Sequence, residues 1–69
     1  MPKLRVFSGA ELSDLLTGQG FQRVRQRGSH IIMKRGTVSF PVPLHREVDR
    51  GTLGAIIRQS GMPRALFEV

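Results

Sequence analysis

The residues of this chain that could do chemistry gather in one stretch, Val24 to Gly36, "VRQRGSHIIMKRG". A Gly28-Ser29 step there leads into His30. An imidazole changes charge between about pH 5 and 8, so it can take up or release a proton near neutrality. Residues 23–35 also hold Arg23, Arg25, Arg27, Lys34 and Arg35 and no acid. Concentrated positive charge of this kind attracts phosphate backbones. A histidine among cations suits transfer at an RNA phosphodiester. A base removes the 2′-hydroxyl proton, that oxygen attacks phosphorus, and Arg and Lys offset the charge that develops.

The remaining candidates are weaker. His45, in "VPLHRE", is a lone loop residue, expected to be structural or solvent-facing. It becomes a second proton donor only if it reaches His30. Ser29 lacks the Gly-x-Ser-x-Gly elbow of a nucleophile, and no acid is placed to orient a histidine. The glycines form neither G-x-G-x-x-G nor a Walker loop, and the five acids form neither D-x-D nor H-E-x-x-H, so no metal or cofactor is expected. With no cysteine, a disulfide scaffold and a thiolate metal site are excluded.

The elements that must position these residues are readable. "SGAE" is a capping box with Ser8 as N-cap, and Phe7 and Leu12 have hydrophobic-staple spacing. Leu12, Leu15 and Leu16 make one apolar stripe, and Gly20-Phe21 suits a Schellman ending, so a helix is predicted over residues 9–19. "FQRVRQR" reads as a strand with its three arginines on one face. "HIIMKR" and "VSFPVP" are two more strands, set off by turns at Gly28-Ser29 and Arg35-Gly36-Thr37. Pro41 and Pro43 cannot donate ladder hydrogen bonds, which suits an edge strand. Thr52 is expected to cap a second helix that carries Leu53, Ile56 and Ile57 and stops at Gly61. The tail "MPRALFEV" adds a short turn anchored by Leu66 and Phe67.

The fold class is therefore α+β, in the order α-β-β-β-α, with a three-stranded antiparallel sheet and two helices on one face. The expected core is Leu12, Leu15, Leu16, Val24, Ile31, Met33, Phe40, Val42, Leu53, Ile56 and Ile57. The uncovered face would then carry Arg23, Arg25, His30 and Lys34. Residues 1–69 are read as a single domain. A chain this short buries only about 60% of its unfolded surface. No apolar run approaches a membrane span, and "MPKLRVFSGA" lacks a signal-peptide core, so a cytoplasmic protein is expected.

The combination "RQRGSH", then "VPLH", then "GTLGAIIRQSGM" carries a family resemblance over residues 8–62. The chain resembles the HicA-type (YcfA-like) toxins of bacterial and archaeal toxin–antitoxin modules. That resemblance implies a fold similar to double-stranded-RNA-binding domains. It implies a metal-independent endoribonuclease that cleaves mRNA, with the Gly-Ser-His histidine, here His30, as catalytic group. It also implies a cognate HicB-type antitoxin that covers the site. Added to the reading of the residues, it gives His30 as general acid/base and Arg23, Arg25, Arg27 and Lys34 as phosphate contacts. Gly28 and Ser29 shape the approach to His30, and a free monomer is expected. The rival readings are a non-catalytic RNA-binding module of the same fold and a protein that only binds an acidic partner.

Overall fold

A computed structural model describes residues 3–69; Met1 and Pro2, the start of the segment read for a signal peptide and of the 1–69 domain, lie outside the described residues. The elements run α1 (Gly9–Gly18), β1 (Gln22–Arg27), β2 (His30–Arg35), β3 (Val38–Pro43) and α2 (Arg50–Ser60), followed by one 3-10 turn (Arg64–Phe67). The α-β-β-β-α order and the antiparallel sheet β1-β2-β3 agree with the sequence-based expectation. Among the described residues no helix is long and apolar enough to cross a membrane.

Local chemistry sets the ends of α1. The Ser8 hydroxyl accepts from the Glu11 N–H (3.1 Å), and Glu11 Oε1 accepts from the Ser8 N–H (2.9 Å). The Ser8 N–H bond, then the Ser8 side chain, holds the Glu11 carboxyl below its ordinary pKa. At the other end, the Gly20 N–H reaches the Thr17 carbonyl and the Phe21 N–H reaches the Leu16 carbonyl. These are the two bonds of a Schellman motif, and Leu16 and Phe21 are both buried.

The cap of α2 differs from the expectation. Asp49, not Thr52, is the N-cap. Its carboxylate accepts from both the Thr52 hydroxyl (2.7 Å) and the Thr52 N–H (3.0 Å), which together lower its pKa. Thr52 sits three residues into the helix and acts as the donor. Gly61 ends α2 in the left-handed conformation, as predicted.

Two-residue loops close both hairpins. Each begins with a glycine at positive φ, 58° at Gly28 and 61° at Gly36, followed by a residue at negative φ. That pattern is a type II′ turn, whose twist matches that of the paired strands. Leu12 and Leu16 of α1, Met33, Phe40 and Val42 of the sheet, and Leu53, Ile56 and Ile57 of α2 share one buried cluster. Both helices therefore cover the same sheet face. Phe7, Phe21, Val48 and Phe67 close its margins, while Leu15 and Ile31 are only half-buried against it. In the tail Phe67 is the anchor and Leu66 is exposed. Phe67 also accepts the Arg5 N–H (2.7 Å), and the Val69 N–H reaches the Lys3 carbonyl, so the two ends of the chain pair.

The main departure lies in β1. Arg23 pairs with Met33 and Arg25 with Ile32, so Val24 is an extra, bulged residue. Val24, expected in the core, is 47% exposed. The bulge puts Arg23 on the helix side of the sheet and Arg25 and Arg27 on the other, so the three arginines do not share a face.

Candidate functional site

Directly opposed residues of antiparallel strands project from the same face. Arg27 opposes His30, Arg25 opposes Ile32 and Gln22 opposes Lys34. The face without helices therefore presents Arg25, Arg27, His30 and Lys34, all exposed, around a half-buried Ile32. Among the described residues no acidic side chain pairs with Arg25, Arg27 or Lys34. Their charge is uncompensated, so it is available to an anionic ligand.

The other two cations of the basic segment act elsewhere. Arg23 Nε donates to the Ser13 hydroxyl (2.7 Å), and its guanidinium pairs with Asp14 of α1. Ser13 is fully buried and donates in turn to Met33 Sδ. Arg35 lies 4.8 Å over the Phe21 ring and donates to the Gln19 carbonyl (2.9 Å). Both arginines fasten α1 to the sheet. The expectation that Arg23 lies on the uncovered face is thus corrected: the bulge turns it toward the buried Ser13 oxygen.

Gly28 and Ser29 contribute backbone. Gly28 supplies the positive φ of the hairpin, and its carbonyl accepts from the Gln26 side chain (3.0 Å). The Ser29 carbonyl accepts from the Leu44 N–H (2.6 Å), which ties the turn before His30 to the segment before His45.

The distance that sequence left open is now fixed. The His30 and His45 rings lie 6.4 Å apart, centre to centre, with their planes at 64°. Both side chains are exposed. Two contacts deliver His45 to this place. Its carbonyl accepts from the Gly9 N–H (2.9 Å), and the Val48 N–H reaches the Phe7 carbonyl (2.8 Å), so the connection after β3 runs along the start of α1. Gly9 is pressed against the end of β3: a Cβ there would stand 2.0 Å from the Pro43 carbonyl oxygen. A side chain would clash, so the close approach requires glycine. Sequence reasoning did not single out Gly9. Its one signal was a poor helix former directly after an N-cap, where no local turn calls for it.

The pairing of two imidazoles with three unpaired cations on an open sheet face can bind an anion and exchange protons with it. No curated protein and no solved structure matches the chain. A family model described as HicA toxin of bacterial toxin–antitoxin matches residues 9–62, which begin at the glycine that seats His45 and end beyond α2. The match spans both histidines and all three strands, so this chain belongs to the HicA toxin family, the toxin side of toxin–antitoxin modules.

Proposed function

We propose that this toxin is a metal-independent endoribonuclease that cleaves mRNA, with His30 as the catalytic proton-transfer group. The observation that supports it best is His30 at the mouth of the Gly28-Ser29 turn, directly opposed to Arg27, on a face whose cations lack acidic partners. In this reading His30 takes the 2′-hydroxyl proton, and Arg25, Arg27 and Lys34 hold the phosphate and offset its developing charge. Arg23 serves the reading indirectly, by bracing β1 against α1. A HicB-type antitoxin would neutralise the toxin by covering this face, and a partner with acidic residues opposite Arg25, Arg27 and Lys34 is the complementary one.

The test is a cleavage time course on a long single-stranded RNA in EDTA, comparing wild type with His30→Ala. Cutting by wild type, and loss of about 10²-fold or more in the variant, is expected from removal of one positioned proton-transfer group. Equal rates would refute the assignment of His30. Intact RNA in both reactions, with both proteins retarding the RNA on a gel, would establish a binding module instead.

A further inference from the structure

We infer that His45 is a second catalytic residue, the general acid that protonates the leaving 5′-oxygen while His30 acts as base. The inference rests on the ribonuclease reading above and goes beyond it, because that reading needs only one histidine. Transfer at an RNA phosphodiester moves two protons. One leaves the attacking 2′-hydroxyl and one must reach the departing 5′-oxygen, on opposite sides of the phosphorus. A single imidazole between them serves one side at a time.

The geometry supplies the second group. The ring centres lie 6.4 Å apart, close enough for one phosphodiester seated across the exposed rims of both rings to contact each of them. The atoms of each proton transfer must come within about 3 Å of each other, and a reacting group that bridges the two exposed rims can meet that limit at both rings. At 64° the two planes do not stack face to face, so each exposed ring keeps part of its edge clear of the other. Neither ring makes a hydrogen bond within the protein among the described residues, so their nitrogens are free for a ligand. The placement of His45 is also built into the fold. It depends on a backbone bond from Gly9, on an approach that only glycine permits, and on the Leu44–Ser29 bond beside His30. Those contacts use the backbone of residues 44 and 45, so the His45 side chain does no structural work of its own.

The step balances as follows. Neutral His30 takes the 2′-hydroxyl proton. The 2′-oxygen forms a bond to phosphorus as the bond from phosphorus to the 5′-oxygen breaks. Protonated His45 gives its proton to that oxygen. The products are a 2′,3′-cyclic phosphate and a 5′-hydroxyl end, with His30 protonated and His45 neutral. Arg27, opposite His30, and Arg46, next to His45, are the cations nearest in register and sequence to the two histidines.

The experiment uses two substrates of the same sequence, one ordinary RNA and one in which sulfur replaces the bridging 5′-oxygen at the cleaved position. A thiolate leaves without protonation, so the second substrate does not need a general acid. On ordinary RNA, His45→Gln should fall about 10²-fold or more below wild type, the scale of one proton transfer. On the sulfur substrate it should come within about 10-fold of wild type, while His30→Ala stays slow on both. Matching thermal melts of the variants would show that folding is intact. If His45→Gln cuts ordinary RNA as fast as wild type, the inference is wrong. Equal slowing on both substrates also overturns it, and makes His45 a phosphate contact. If wild type cuts neither substrate, the ribonuclease reading itself fails, and this inference fails with it.

Discussion

Replacing Gly9 by alanine pits two physical effects of opposite sign against each other. Helix propensity alone predicts stabilisation, because alanine is better than glycine by up to about 1 kcal/mol per helical residue. The packing predicts the reverse. The new methyl would stand 2.0 Å from the Pro43 oxygen, 2.7 Å from the Leu44 Cα and 2.8 Å from the Pro43 carbonyl carbon. All three are backbone atoms, so no side chain can swing aside. Overpacking of this kind costs about 1–3 kcal/mol. Moving α1 away also stretches the Gly9–His45 bond, worth a further ~0.5–1.5 kcal/mol. The net expectation is destabilisation by roughly 1–3 kcal/mol, out of a total near 3–10 for a chain of this size. The melting temperature should fall by roughly 5–20 °C. Gly18→Ala is the matched control, since a Cβ there meets nothing within 4 Å and lies in the same helix. It should melt at or above the wild-type temperature. Melts of the three proteins, followed by circular dichroism under one buffer, decide the matter. If Gly9→Ala melts no lower than wild type, the close approach does not constrain the fold, and the account of how His45 is positioned falls with it.

The arginines of β1 should separate by readout. Arg23→Ala leaves the buried Ser13 oxygen without its donor and should cost about 1–3 kcal/mol in denaturant unfolding. Arg25→Ala and Arg27→Ala should leave stability within about 0.5 kcal/mol. In RNA titrations they should instead each lower the slope of log affinity against log salt by about 0.7. The reverse pattern would contradict the bulged register. Acid should weaken both helix starts, because Glu11 and Asp49 have folded-state pKa values below their unfolded ones. The stability they add is present above the unfolded carboxylate range, near pH 4, and is lost as pH falls through the lower folded values. The Glu11→Gln, Asp49→Asn double variant should therefore lose less melting temperature than wild type between pH 7 and pH 3. Equal losses would mean that these caps are not linked to protonation.

What was legible in the sequence was local. The capping box, the Schellman ending at Gly20-Phe21 and the turn at Gly28-Ser29 each rest on residues no more than five apart and formed as read, and the second turn formed one residue tighter, at Gly36-Thr37. The α2 cap was misplaced because spacing does not rank the candidates: in "VDRGT" both Asp49 and Thr52 can cap, and spacing alone does not say which accepts and which donates. The carboxylate wins because it can receive two bonds from Thr52 at once. The His30–His45 distance was illegible for a different reason. The two lie fifteen positions apart, and the contact that closes the gap belongs to a third segment, the start of α1, through a close backbone approach at Gly9.

The bulge at Val24 decides which cations share a face with His30. "QRVRQR" has one apolar residue in six, so burial gives it almost no preference for one register over another. A regular strand would put residues 23, 25 and 27 on a single face. With all three arginines on the open face, the buried Ser13 oxygen would lose its donor. With all three under the helices, two more guanidinium groups would have to be desolvated without partners, and the open face would lose the cation opposite His30. One extra residue resolves the conflict. Placed between Arg23 and Arg25, it sends the first arginine inward to brace α1 and leaves the other two outward beside the histidines. Deleting Val24 should therefore disturb stability and RNA contact together, a coupling that no substitution at a single arginine would produce.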